Sequence, residues 1–281
     1  MAGAWLDWLI ERLTRGGPPL PGERQALERC TAALRQPLSL DVAGHTLAAS
    51  VLRDDLERFH VPVALALIER SAQEPHRRIL AGIAGPPGSG KSVMAAVLVR
   101  TIGLAAGAPA AVLAAMDGFH YPNAWLDAHP PLRERKGAPE TFDAHAFAGA
   151  LRRLADGEDL MLPRYDRRVH DPVPDGVRAG RQHRIAVVEG NYLLLDRPGW
   201  REAARLLDAA IFLRTDLEQT RRGLIERHVR GGRAPDDAER HWRAVDAPDH
   251  ALCMAQARRA DLVVELDGGH HVAAVARGGG D

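Results

Sequence analysis

The stretch Ile79-Leu-Ala-Gly-Ile-Ala-Gly-Pro-Pro-Gly-Ser-Gly-Lys-Ser92 constrains this chain more than any other. It is an apolar run that breaks into a glycine-rich turn and then into the helical pattern Val93-Met-Ala-Ala-Val-Leu-Val99. Strand, loop and helix come in the order that the Walker A motif requires, with Gly85, Gly90, Lys91 and Ser92 at its G-x-x-x-x-G-K-[ST] positions. Glycines let the backbone turn so tightly that several N–H groups converge, and the helix behind them adds the positive end of its dipole. Such a loop suits a polyphosphate. Pro86, Pro87, Gly88, Ser89 and Val93 complete the expected nucleotide loop. Lys91 is expected to reach the β- and γ-phosphates of ATP, and the Ser92 hydroxyl to be a ligand of Mg²⁺. A chance glycine turn would match the spacing but not the strand before it and the helix after it.

Lysine usage sharpens this reading. Of the 37 basic residues only Lys91 and Lys136 are lysine, and the rest are arginine. A compact ammonium and a planar guanidinium do different work, so a lysine kept against this bias points to a site that needs its shape. The 37 basic residues balance 37 acidic ones, and such a balance does not suggest nucleic acid or an anionic membrane as partner. Cys30 and Cys253 stand far apart without metal-ligand spacing, which reads as two reduced thiols in a reducing compartment. Asp7 and Glu11 interrupt the apolar N-terminus, so it does not read as a signal peptide. Apolar runs such as Ala108 to Met116 fall short of the roughly 20 residues that span a bilayer. The expected location is the cytoplasm.

Before the motif, residues 1 to 15 carry apolar side chains at helical spacing and Gly16 to Gly22 forms a breaker. A second helix is expected over about Glu23 to Leu34, then a small hairpin over Leu38 to Leu52 turning at Ala43-Gly44, then a long helix from Asp54 to about Gln73, kinked near Pro62. No catalytic constellation stands out there, so residues 1–75 read as a cap or as the dimerisation element of a homodimer.

After the motif, Ala110 to Met116 reads as a buried parallel strand ending in Asp117-Gly-Phe-His-Tyr. In an open α/β sheet, ligands sit beyond the carboxyl ends of the strands. Asp117 there can orient an acceptor hydroxyl and take its proton, or it can simply cap a turn. His120 and Tyr121 are candidates for the same pocket. His183 to Gly190 reads as the next central strand, with Glu189 either holding Mg²⁺ opposite Ser92 or capping the next helix. Asp208 to Arg214 is a further strand. The helix opened by Asp216 bears Arg222 and Arg227, with Arg233 beyond, and reads either as a solvated face or as a lid whose arginines spread over a phosphoryl group. A further helix over about Asp236 to Arg259 precedes a last strand, Asp261 to Glu265. The glycine-rich segment 268–281 reads as a flexible tail, and His270-His271 as no metal site.

The segments Asp117-Gly-Phe, Lys136-Gly-Ala-Pro-Glu-Thr-Phe-Asp143, Pro163-Arg-Tyr-Asp-Arg-Arg-Val-His170 and Val187-Val-Glu-Gly-Asn191 resemble the phosphoribulokinase, uridine kinase and bacterial pantothenate kinase group of P-loop kinases. The likeness runs from about Asp54 to Glu265. It is strongest to a nucleoside/nucleotide kinase family that includes fructose-transport kinases. The resemblance implies Asp117 as catalytic base and Lys136, Asp143, Tyr165 and His170 as substrate-pocket residues. Read without it, Asp143 is equally a helix N-cap. His170 precedes the turn-rich Asp171-Pro-Val-Pro-Asp-Gly176, which suggests a hairpin lid over the acceptor pocket.

These readings combine into a P-loop NTPase of the α/β class: a five-stranded parallel sheet flanked by helices over residues 76–267, with an N-terminal helical and hairpin extension and a helical lid over about 216–235. The expected reaction is Mg²⁺- and ATP-dependent phosphorylation of a hydroxyl on a small molecule such as a nucleoside, a sugar or a pantothenate-like alcohol. The alternative is a nucleotide-driven switch or chaperone for a protein partner. A switch would not need the hydroxyl-facing set Asp117, Tyr165 and His170, and a guanine-reading Asn-Lys-x-Asp motif is absent.

Overall fold

A computed structural model describes residues 3–34, 38–42 and 45–279 of the chain. Its centre is a six-stranded sheet in the order β10-β9-β8-β3-β7-β4. The strands are β3 (Ile79–Ala84), β4 (Ala111–Ala115), β7 (Ile185–Gly190), β8 (Ala209–Arg214), β9 (Leu262–Leu266) and β10 (Val272–Arg277). The five expected parallel strands are present, and β10 adds an antiparallel edge to them. Residues 272–277, expected in a flexible tail, are therefore part of the sheet.

Alternation along the strands divides the core. Leu80, Val112, Ala114, Ala186, Val188 and Phe212 face the helix Ala144–Ala155 and the Trp200 region. Ile79, Ala81, Ile83, Val187, Ile211 and Val264 face the other way, against the P-loop helix Lys91–Ala106 and the helices Ala4–Arg15 and Val61–Gln73. Strands buried on both faces read as continuous apolar runs, which is why they were legible. Residues before 75 thus pack into the same core as the sheet.

The helix Glu23–Ala33 and the ribbon of β1 (Leu38–Val42) and β2 (His45–Ala49) cover a smaller cluster around Cys30, Leu40 and Val61. The turn expected at Ala43-Gly44 lies outside the described residues. Arg53–Asp55, the widened π-turn Leu56–His60 and Val61–Gln73 form one helical stretch in succession. The π-turn ends two residues before Pro62, where the sequence leads one to expect a kink.

A separate antiparallel ribbon, β5 (Leu160–Asp166) with β6 (Asp171–Ala179), stands over the carboxyl end of β4. Its turn is at residues 167–170, whereas the Asp171 to Gly176 stretch expected to turn is itself the second strand. Proline is tolerated in such an exposed edge, where its missing N–H is not needed. Behind β8 come the helix Leu217–Arg230, the helix Pro235–His241, a second π-turn Trp242–Asp246 and the helix Ala247–Met254. The single helix expected over 236–259 is this broken series, ending in the 3-10 turn Ala257–Arg259.

Candidate active site

Strand register builds the site. Ile83 of β3 pairs with Glu189 of β7, and Glu189 pairs in turn with Ala115 of β4, so the three carboxyl ends are level. The chain runs from β3 to β4 and leaves room between them for β7. The loop after β3 and the turn after β4 therefore close on Glu189 from its two sides, in the crevice where strand order reverses.

The loop after β3 depends on its glycines. Gly88 and Gly90 both have φ of 82°, a left-handed conformation that other residues enter only with strain. Lys91 opens its helix with only 9% of its surface exposed. The Ser92 hydroxyl donates to Glu189 Oε2 at 3.2 Å. After β4, the 3-10 turn Met116–Phe119 carries Asp117. A Cβ on Gly118 would sit 2.4 Å from the Pro163 carbonyl oxygen, so only glycine lets β5 approach the Asp117 turn this closely.

Electrostatics sets the two carboxylates apart. Burial lifts Glu189 above its ordinary value, with Lys91 opposing that shift and Asp117 adding to it. Burial acts on Asp117 as well, but His120, Lys91, Arg167 and Arg227 together outweigh it and hold the Asp117 carboxyl below its usual range. Two acids that feel each other's charge, with a serine hydroxyl beside them, form an oxygen-only donor set that fits a hard dication such as Mg²⁺.

On the far side of Asp117 the side chains are aromatic. His120 donates from Nδ1 to the Asp117 carbonyl at 2.8 Å, and its ring lies 3.8 Å from Phe142 and 4.9 Å from Tyr165, centroid to centroid. Burial first, then Asp117 and Asp171, push the Tyr165 hydroxyl up to about 12. Lys136 Nζ is 5.4 Å from the Tyr165 ring centre and donates to Asn123 Oδ1 and the His170 carbonyl, each at 2.6 Å. The buried Tyr192 hydroxyl donates to the Gly137 carbonyl at 2.7 Å and so anchors the Lys136 loop.

The structure therefore gathers Lys91, Ser92, Glu189, Asp117, His120, Tyr165 and Lys136 around one crevice. Other expected residues stand differently. Asp143 Oδ1 accepts from the Ala146 amide at 2.8 Å and caps its helix. Tyr121 stacks on Trp125 at 4.2 Å, with His129 on the other side of Trp125 at 3.8 Å. His170 is exposed, has a φ of 52° and meets Lys136 through its carbonyl. Of the three lid arginines, Arg227 is the one whose charge acts on Asp117. All three are exposed, and Arg233 acts instead on His241.

Arg167 was not anticipated. Its charge acts on Asp117, Glu189, Tyr165 and Arg227. Asp166 accepts from the Arg168 side chain at 2.6 and 3.0 Å and from Arg164 at 3.3 Å, which draws both flanking arginines to one side of the turn. The run Arg164-Tyr-Asp-Arg-Arg168 was the available signal, and it was obscured because the turn was expected four residues later.

A phosphate-type glycine loop at the carboxyl ends of a mostly parallel sheet, faced by two acids, defines a P-loop kinase fold. Residues 80–273 match the Phosphoribulokinase / Uridine kinase family, and the chain belongs to it. An uncharacterized Escherichia coli (strain K12) protein called YggC is 36% identical over 236 residues, 83% of this chain and 98% of that one. A pantothenate kinase of Nocardioides sp. is 28% identical over 301 residues, covering 91% of each chain. Among solved structures, a "putative fructose transport system kinase" of Silicibacter sp. TM1040 is 32% identical, with a TM-score of 0.61 over 69% of this chain and 94% of that one. Among the described residues, no helix is long and apolar enough to cross a membrane.

Proposed function

We propose that the protein transfers the γ-phosphoryl group of ATP to a hydroxyl of a small metabolite, a nucleoside, a sugar or a pantothenate-like alcohol, with Mg²⁺. The observation that carries the reading is the level register of β3, β7 and β4, which sets a polyphosphate loop and a charged aspartate on opposite sides of one buried glutamate.

Mg²⁺-ATP would supply the phosphoryl group and neutralise part of its charge; Ser92 and Glu189, 3.2 Å apart, are the residues that would hold the metal. The backbone N–H groups from Gly88 to Ser92 bind the phosphates. Lys91 orients them and offsets their charge. Asp117, kept ionised by the cations around it, orients the acceptor hydroxyl and takes its proton. His120 and Tyr165 form one wall of the acceptor pocket, and Lys136 fixes its rim through Asn123 and the His170 carbonyl. Arg227 and Arg167 are drawn to the charge that spreads over the transferring group. Catalysis in this scheme is positioning and charge neutralisation.

The test is to incubate the protein with Mg²⁺-ATP and panels of nucleosides, sugars, short polyols and pantothenate-like alcohols, scoring ADP above the acceptor-free background. Stimulation by one acceptor class is the expected outcome. ATP hydrolysis that no acceptor stimulates, but that a protein partner does, would replace the kinase reading with a nucleotide-driven switch.

A further inference from the structure

Outside the crevice, three metal-ligating side chains meet where the lid helix joins the segment behind it. His228 lies in the last turn of Leu217–Arg230, His241 ends the helix Pro235–His241, and Asp246 ends the π-turn Trp242–Asp246. His228 Nε2 is 2.9 Å from Asp246 Oδ2, and the two imidazole rings are 4.8 Å apart between centroids. One ligand atom from each of the three lies within 4.8 Å of the others. Among the described residues no other three His, Cys, Asp or Glu side chains meet this closely.

We propose that His228, His241 and Asp246 form a binding site for a divalent transition-metal ion of the zinc class, joining the lid helix to the helix behind it. Two imidazoles and one carboxylate are the donor set such ions take, whereas Mg²⁺ favours oxygen alone and is better served by Ser92 and Glu189. Ligand bonds of about 2.0–2.2 Å place neighbouring donors a little over 3 Å apart. The His228–Asp246 edge is already near that spacing. His241, half-exposed and at a helix end, has to turn its ring further toward this pair, which side-chain rotation supplies.

The charges of Arg227 and Arg233 act on His241 and oppose a dication, so the site is weaker than a closed structural zinc centre, and one coordination position remains for water. Asp246 is 7% exposed; a cation there offsets the cost of burying its charge. The consequence is mechanical. The metal crosslinks the turn that carries Arg227 to the segment running into Ala247–Met254, and so restrains the lid.

The experiment is calorimetric titration of zinc sulfate into the full-length protein in excess Mg²⁺, alongside His241→Ala and Asp246→Asn. One equivalent is expected to bind the wild type and to bind each folded variant at least tenfold more weakly. Because Asp246 is buried and its variant can fail to fold, zinc X-ray absorption on the wild-type complex provides an independent readout. Two nitrogen ligands at about 2.0–2.1 Å are expected. Equal affinity in wild type and His241→Ala, or a shell of oxygens only, overturns the proposal and leaves a metal-free hydrogen bond between His228 and Asp246.

Discussion

Replacing Asp117 with asparagine separates chemistry from binding at this site. The change keeps size and hydrogen-bonding capacity but removes the charge that His120, Lys91, Arg167 and Arg227 hold in place. An amide cannot take the acceptor's proton. Removing a general base costs about 10² to 10⁴ in rate, or roughly 3 to 5 kcal/mol in the barrier at 1.36 kcal/mol per factor of ten. ATP itself needs no bond from this side chain, so nucleotide affinity is expected within a few fold of wild type. The assay is acceptor-dependent turnover at saturating ATP, paired with nucleotide titration on one preparation. Undiminished transfer would reduce Asp117 to a turn residue. A parallel collapse of nucleotide binding would make it part of the metal site.

Neighbouring residues give further expected outcomes. Lys91→Ala should lose turnover by orders of magnitude with the fold intact, checked by circular dichroism beside kinetics at saturating ATP. Glu189→Gln should raise the Mg²⁺ concentration for half-maximal rate and lower kcat together; an unchanged Mg²⁺ curve assigns Glu189 to a structural role. Arg167→Met should lower kcat while Arg222→Met leaves it near wild type, because the charge of Arg167 acts on Asp117 and that of Arg222 is not among those that do. His60 is buried and its imidazole is pushed down to about 4, burial being the cause and Asp55 opposing it. The unfolded chain takes that proton near pH 6.5, so between 6.5 and 4 the unfolded state binds more protons and stability falls as pH falls. The loss from this residue is about 2 kcal/mol at pH 5, and denaturant midpoints of wild type and His60→Leu at pH 7 and 5 should differ by that amount in their pH dependence.

How much could be read from the sequence depends on how local each signal is. β3 and the helix after it were legible because six consecutive residues are buried and the loop motif fixes where the helix begins. Glu189 and Asp117 were legible because each ends a buried run, and strand ends are where open sheets place ligands. Arg167 was not, because its role depends on where the β5–β6 turn falls, and Pro172, Pro174 and Gly176 mimic a turn while forming an edge strand. β10 was hidden for a related reason. Val-Ala-Ala-Val-Ala-Arg between glycine-rich stretches carries little strand signal of its own, and its place comes from pairing with β9 and from Asp55, 217 residues away in sequence. His228, His241 and Asp246 are brought together by a broken helix that reads in sequence as a continuous one.

The contact between Asp55 and β10 explains why the N-terminal segment and the phosphate loop belong to one unit. Asp55, 5% exposed, accepts from the Val272 amide at 2.9 Å, from the Leu52 amide at 2.9 Å and from His271 Nδ1 at 2.7 Å. Bonds to a buried carboxylate are worth about 1.5 to 3 kcal/mol each, so this one side chain ties the start of the long helix to the last strand firmly. Between β9 and β10, Asp267 accepts from the amides of Gly269 and His271 and closes the turn, with His270 at a φ of 62°. That conformation lays the His270 ring over the phosphate loop, where a Cβ on Gly90 would come within 3.1 Å of Nδ1. Gly90 needs to be glycine for its own left-handed backbone, and a side chain there would also press on the ring above it. The segment before residue 75 supplies the carboxylate that fixes His271 and Val272, the residues directly after that ring, and it does so from a position that no motif in the first 75 residues marks.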